Sequence, residues 1–324
     1  MPAAPDSARV CGRPTVAAGL VLGYLADRLL ADPSRWHPVA GFGRIAQVTE
    51  GHLYSDSRTA GATFTTVLVG GATGAAYLLG RRLPPAAEVV ATAIATWAVL
   101  GGTSLLAVAT AVADDLDNDD LDGARGHIRS LCARDPEMLD AAGVCRAALE
   151  SVAENTSDAT IGPLVWGAIG GIPGLVGYRA VNTLDAMVGY RSPRYGRFGW
   201  ASARLDDAAN LIPARFTAGL TVVLGGSPRA AIAAWRADAS GHPSPNAGVV
   251  EASMAGALGV GLGGPTVYAH GVEQRPTLGV GHAPQSVDLR AALALSRRTQ
   301  TAAVVVVAGV PLAGHLVRRW ANRR

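Results

Sequence analysis

Acidic and amide side chains gather in two short runs of this chain. Glu150, Glu154 and Asp158 come first, and Asn182, Asp185, Asp206, Asp207 and Asn210 follow. Glu150 and Glu154 are one helical turn apart, so a helix built there places both on one face, with Asp158 just beyond its end. Asp206 and Asn210 have the same one-turn spacing, and Asn182 and Asp185 share a face three residues apart. Carboxylates beside asparagines suit a hard cation such as magnesium, which takes oxygen ligands and commonly shares them with a substrate phosphate. Arginines in the same region, among them Arg191, Arg194, Arg197 and Arg215, suit phosphate or carboxylate through paired hydrogen bonds. A charged stripe on a helix is ordinarily a solvated face. Here the stripe runs straight into an apolar, glycine-broken segment, and ionisable groups at a membrane boundary are costly to keep. The chemistry indicated is phosphate handling at a membrane surface, with no substrate named by these residues.

Composition narrows the classes. The 324 residues are 49% hydrophobic and 16% charged, with mean hydropathy +0.24; a soluble domain carries about a quarter charged residues. The net charge of +3 gives no reason to expect a nucleic-acid partner. All 28 basic residues are arginine, so a lysine nucleophile, a Schiff base and a Walker A lysine are excluded. Cys11, Cys132 and Cys145 form no CxxC pair and read as reduced, structural thiols. The histidines lack zinc-site spacing, and no GxSxG elbow occurs. Asn118, Asp120, Asp122 and Gly123 imitate the start of a calcium loop, but Arg129 stands where its bidentate glutamate belongs. Gly259 to Gly264 spells GxGxxG, yet it lacks a preceding strand signal, and Pro265 follows at once, against a dinucleotide fingerprint.

The elements that must hold these residues are helical. Apolar segments are expected at about 14–30, 62–80, 86–113, 159–177, 208–224 and 299–317, set against roughly 20 residues for a crossing. Polar segments at about 31–61, 114–158, 178–207 and 225–298 would carry the chemistry. Asp135-Pro136-Glu137 reads as the start of a helix running to about Asn155, by an N-cap side chain followed by proline at the first position. A further helix is expected from about Gly123 to Ala133. Ile161 to Val176 is broken by Pro163, Gly167, Gly170, Gly171, Pro173 and Gly174; irregular backbone at membrane depth survives where protein buries it, so this segment reads as a re-entrant hairpin. Gly70 and Gly74 have a spacing that permits close helix packing. The expected fold is all-α: one membrane-embedded domain over 1–324, a polytopic helical bundle with polar helical insertions on one side.

Several runs together resemble the adenosylcobinamide-phosphate synthase family of cobalamin biosynthesis. They are Glu150-Ser-Val-Ala-Glu-Asn-Thr-Ser-Asp158, Asn182-Thr-Leu-Asp-Ala-Met-Val-Gly-Tyr-Arg191, Phe198-Gly-Trp-Ala-Ser-Ala-Arg-Leu-Asp-Asp-Ala-Ala-Asn210 and Pro213-Ala-Arg215. Asp32-Pro33, His37-Pro38-Val39, Asn246-Ala-Gly and Glu251-Ala-Ser-Met-Ala-Gly-Ala-Leu-Gly259 extend the resemblance over nearly the whole chain. Arg179 stands where the family pattern has lysine, which keeps the charge and changes its shape.

The resemblance implies a multi-pass enzyme of the cell membrane with its active site on the cytoplasmic side. It would join aminopropanol, or aminopropanol phosphate, to the free propionate of adenosylcobyric acid, forming an amide at the expense of ATP with magnesium. On that basis Asp158, Asp206 and Asp207 are expected to hold magnesium, and Glu154 or Asp185 to act as the general base. Arg191 and Arg215 would hold phosphate, and His37, Asn155, Asn182 and Asn210 would orient substrates. The implied partners are the corrinoid, the amine, the lipid bilayer, and other membrane enzymes of the same pathway or a second copy of the chain. Two readings from other classes stand beside it: a non-catalytic inner-membrane regulator related to β-lactamase induction, and a corrinoid transporter. The dense carboxylate and asparagine sets weigh against the first. The lack of an internal repeat weighs against the second.

Overall fold

The computed structural model describes residues 14–32, 37–132, 134–190, 192–268 and 271–321. In chain order its helices are α1 (Pro14–Leu30), α2 (Pro38–Leu53), α3 (Arg58–Gly80), α4 (Pro85–Val99), α5 (Gly102–Asp117), α6 (Leu121–Ile128), α7 (Ala141–Asn155), α8 (Gly162–Val188), α9 (Trp200–Leu224), α10 (Pro228–Asp238), α11 (Ala247–Leu258) and α12 (Ser286–Ala321). An antiparallel hairpin of β1 (Leu262–Tyr268) and β2 (Gly271–Leu278) is the one sheet among the described residues. Three stretches are long and apolar enough to cross a bilayer: Arg58–Gly80, Pro85–Asp117 and Ala141–Val188. The all-α membrane bundle expected from composition and patterning is what forms.

Two compact units divide the chain. The first comprises residues 1–101, 161–209 and 303–324, and the second 102–160 and 210–302. In the first, glycines set the helix spacing. Gly19 and Gly23 of α1 leave room for Thr92 and Thr96 of α4, and Gly177 leaves room for Thr73 of α3. Phe64, Phe198, Leu184 and Val188 form a buried cluster with the Tyr54 ring against Phe198. A β-carbon on Gly61 would strike the Phe198 carbonyl, so glycine is required at that approach.

The glycine-broken segment does fold back on itself. Gly171 has φ 61° and ψ −145°, which interrupts α8 at its middle. On either side of it Gly162 packs against Tyr178, Gly167 against Leu175 and Gly174 against the Trp166 carbonyl. Those pairs run antiparallel about residue 170, the pattern of two short helices in a hairpin. Pro173 falls just after the reversal, where a missing N–H costs least. Gly174→Ala would push a methyl into the Trp166 backbone, and overpacking of that kind costs about 1–3 kcal/mol. A lowered thermal midpoint in detergent is expected for Gly174→Ala, and almost no change for Gly170→Ala, whose added methyl meets open space.

Two expectations need correction. The apolar stretch 86–113 is two helices, because Leu100 is extended (ψ 156°) after α4 and α5 begins afresh at Gly102. Asp135 does not start the long helix. It caps a single 3-10 turn, Pro136–Met138, and α7 begins under Asp140, whose carboxylate accepts the Gly143 N–H at 2.8 Å. Leu139 separates the two: its side chain is buried and its carbonyl accepts the Arg125 guanidinium at 2.8 and 3.0 Å, which holds the backbone extended. The helix expected from about Gly123 to Ala133 is α6, starting earlier under Asp120 and ending at Ile128.

The second unit has its own core, in which Val144, Leu149 and Val152 of α7 meet Ala252, Met254 and Ala255 of α11, and Leu289 and Leu295 of α12. The glycine run before Pro265 serves this unit as a strand bulge. Gly263 and Gly264 have φ 75° and 79°, the left-handed region that favours glycine. A β-carbon on Gly263 would strike the Pro276 carbonyl on the paired strand. Of the acidic run, Asp114 and Asp117 bind Arg290 of α12 at 2.8 and 2.5 Å, and Asp120 caps α6.

Candidate active site

Charged groups converge in the second unit. A cavity of about 210 Å³ is lined by Arg134, Glu150, Glu154, Glu251 and Arg275, with Cys132 on its wall. α7 supplies the two expected glutamates one turn apart. Arg134 comes from the segment before it, Glu251 from the otherwise apolar α11, and Arg275 from β2. Ser151 donates to the Leu131 carbonyl at 2.9 Å and pins the preceding segment to α7.

The two α7 glutamates have different duties. Glu150 is buried, pairs with Arg134 through one oxygen, and accepts the Gly263 N–H at 2.7 Å with the other. Both its oxygens are committed, so it fastens the β-hairpin and the Arg134 segment to α7. Glu154 is solvent-accessible and reaches the same cavity. Glu251 is only 2% exposed. Burial, and after it the charge of Glu154, push its carboxyl up to about 8, against the pull of Arg275 and Arg134. With Glu150 neutralised by Arg134, Glu154 and Glu251 face one further guanidinium. Two carboxylates in one low-dielectric pocket do not both ionise readily, so this arrangement can accept a proton at Glu154 while Glu251 keeps its own.

A second polar group lies in the first unit. Asn182 of α8 donates to Asp206 of α9 at 3.5 Å, and Arg179 approaches the Asn182 oxygen at 3.4 Å. Asp206 is nearly buried, and Asp207 is 3.5 Å from Arg204 on its own helix. Asp185 lies one turn after Asn182, its carboxylate against Gly189. Trp166 donates to the Ala209 carbonyl at 2.9 Å and ties the α8 hairpin to α9 at this level.

The remaining expected residues are placed as follows. His37 caps α2: its Nδ1 accepts the Val39 N–H at 3.1 Å, and its Nε2 is 3.7 Å from Asp32. Asn155 turns back on its own helix and donates to the Ser151 carbonyl at 3.0 Å. Asp158 is half-buried in a π-helical turn, Thr156–Ile161, that follows α7. Asn210 is buried in α9. Arg215 donates to Asn246 Oδ1 at 2.6 Å and to the Pro245 carbonyl at 3.1 Å, clasping the loop before α11. Arg191 lies outside the described residues. Among the described residues, no three His, Cys, Asp or Glu side chains converge as a ready-made metal site. Magnesium is usually held by one or two carboxylates plus substrate phosphate. Asp206 offers one such carboxylate, whereas the Asn182 oxygen faces Arg179 and its amide nitrogen faces Asp206.

Sequence reasoning missed Arg134, Arg275, His242 and the role of Glu251. Glu251 carried a readable signal, a lone acid within Ala247–Leu258, since a single charge inside an apolar helix is rare unless paired. Arg134 and Arg275 carried none, because their convergence depends on a hairpin that was not foreseen.

The fold and these centres define a class: an all-α membrane protein with buried acid and arginine groups. The CobD/Cbib protein family model matches residues 20–296. The chain is similar to the cobalamin biosynthesis protein CobD of Mycobacterium tuberculosis strain H37Rv, 56% identical over 300 residues, covering 90% of this chain and 95% of that one. It is similar also to the proteins of that name from Rhodobacter capsulatus, 43% identical over 277 residues (84% and 88% covered), and Chromobacterium violaceum, 42% over 288 residues (86% and 91% covered). No solved structure matches. The chain belongs to the CobD/Cbib protein family.

Proposed function

We propose that this protein acts in cobalamin biosynthesis as an ATP- and magnesium-dependent ligase, joining aminopropanol or aminopropanol phosphate to the free propionate of adenosylcobyric acid. The observation that carries the reading is the 210 Å³ cavity with an accessible glutamate between arginines. It is below the about 300–1,000 Å³ of pockets for drug-sized ligands and far too small for a corrin ring. It suits the amine and the end of a propionate arm, with the macrocycle outside.

A carboxylate is a poor electrophile. Phosphoryl transfer from ATP would turn the propionate into an acyl phosphate and release ADP. Magnesium, when bound, would neutralise charge on the nucleotide phosphates; within the first unit Asp206, with Asp207 and Asn182, is the set we assign to hold it. Arg215 remains our assignment for phosphate, with Arg134 and Arg275 added from the cavity. Asn155 and Asn210 would orient substrates. Glu154 takes a proton from the ammonium form of the amine, and Asp185 is the other base the sequence offers. The freed amine attacks the acyl carbon, the C–N bond forms, and the C–O bond to phosphate breaks with its electron pair leaving on phosphate, which carries off the second proton of the amine nitrogen. Arginine charge near the carbonyl favours the transition state.

Protein purified in nanodiscs should release ADP from ATP only when adenosylcobyric acid is present. Corrinoid-independent ADP release, or none with both substrates supplied, would count against the ligase. Asp206→Asn should raise the magnesium concentration needed for half-maximal turnover by about tenfold or more, a loss of the order seen when a metal site is weakened. An unchanged magnesium dependence would remove Asp206 from the metal.

A further inference from the structure

Glu251 has a neighbour that the ligase reading does not use. His242, in the loop between α10 and α11, is buried, and its Nε2 is 3.9 Å from Glu251 Oε1. That nitrogen has no partner at hydrogen-bond length among the described residues. The other nitrogen, Nδ1, faces two groups of one residue: the Ser244 N–H at 3.0 Å and the Ser244 carbonyl at 3.2 Å. Nδ1 therefore has a donor within reach for one tautomer and an acceptor for the other. When Nδ1 is bare it accepts the Ser244 N–H, and Nε2–H points at Glu251. When Nδ1 carries the proton it donates to the Ser244 carbonyl, the Ser244 N–H loses its acceptor, and the bare Nε2 faces Glu251.

The loop is held for this. Ser244 Oγ accepts the N–H groups of Asn246 and Ala247 at the start of α11. Arg215 clasps Pro245 and Asn246 from α9. Ser244 is thus fixed against the helix that carries Glu251.

We propose that His242 is the positioning partner of Glu251, its tautomer following the charge of that carboxyl and so setting the pH at which the Glu154–Glu251 pair loses its exchangeable proton. The proposal deepens the ligase reading and rests on it for its catalytic meaning. The proton count closes: Glu251 loses one proton to solvent, and the imidazole moves its own from Nδ1 to Nε2 without change of charge. The groups facing Glu251 are Glu150 and Glu154 from α7, Arg134 from the segment before it, Arg275 from β2, and His242 itself. Burial, reinforced by Arg275, holds His242 below the ordinary histidine range, so it stays neutral while Glu251 titrates. A pair with one proton leaves Glu154 as the base. A doubly charged pair would hold the amine as ammonium instead, and turnover would fall.

The test follows histidine side-chain ¹⁵N shifts across pH on full-length protein in nanodiscs, with His242 assigned by comparison with His242→Gln. His242 should pass from Nδ1–H to Nε2–H as pH rises through about 8, with the ring neutral on both sides. Glu251→Gln should abolish that passage. One unchanging tautomer in the wild type, or a passage that persists in Glu251→Gln, overturns the proposal; the wild-type spectra alone decide if that variant does not fold. In the amide-forming reaction, His242→Leu should move the alkaline limb upward by about one pH unit, and His242→Gln, with both a donor and an acceptor, should restore it. The nitrogen shifts need no turnover. A failed ligase reading and a failed His242 reading are therefore told apart.

Discussion

Replacing Glu154 by Gln is expected to lower amide formation by about 10²–10⁴-fold, the usual worth of a positioned general base. The substitution keeps the shape of the side chain and removes its negative charge and its ability to take a proton. Glu154 is the accessible carboxylate of the α7 pair, so its loss leaves the Arg134–Glu150 tie and the hairpin contact untouched. The effect should fall on turnover rather than on the corrinoid concentration needed for half-saturation. Single-turnover measurements with amine in excess would show it, because the acyl phosphate would form and wait. An activity within a few-fold of wild type would move the base to Asp185.

Arg134→Met is expected to destabilise the second unit by about 3–5 kcal/mol, the usual result of removing one partner from a buried ion pair. The arginine and Glu150 are each 5% exposed. Without the guanidinium, Glu150 keeps only the Gly263 N–H as a partner in that cavity wall. The double variant Arg134→Met with Glu150→Gln should recover much of the loss, since no unpaired charge then remains buried. Thermal unfolding in detergent distinguishes these outcomes. A double variant as unstable as the single one would mean that Arg134 acts through packing.

The sequence made the bundle legible wherever local chemistry decides. α3, uncharged after Arg58, lies between Ser57, whose hydroxyl caps it, and the Arg81–Arg82 turn, and it forms where expected. The reversal at Gly171 was also readable, because glycine and proline density bears directly on backbone shape. Glu154 was found because helical spacing puts it beside Glu150. The rest depended on partners distant in the chain. Leu139 breaks the expected helix only because Arg125 reaches its carbonyl. Arg215 reads alike whether it faces a phosphate or clasps a loop, and its bond to Asn246 spans 31 residues. Arg275 enters the cavity on a two-stranded hairpin inside a region of mixed polarity, where period-two patterning is hidden by glycines and a bulge.

The central claim is that this chain makes an amide from adenosylcobyric acid and a small amino alcohol or its phosphate. The direct measurement is mass spectrometry of the corrinoid after incubation with nanodisc-embedded protein, ATP, magnesium, adenosylcobyric acid and aminopropanol phosphate or aminopropanol. The account predicts a product heavier by the amine less one water, appearing only with ATP present. No product from folded protein with either amine would contradict the ligase. Product formed equally well without ATP would contradict the acyl-phosphate route.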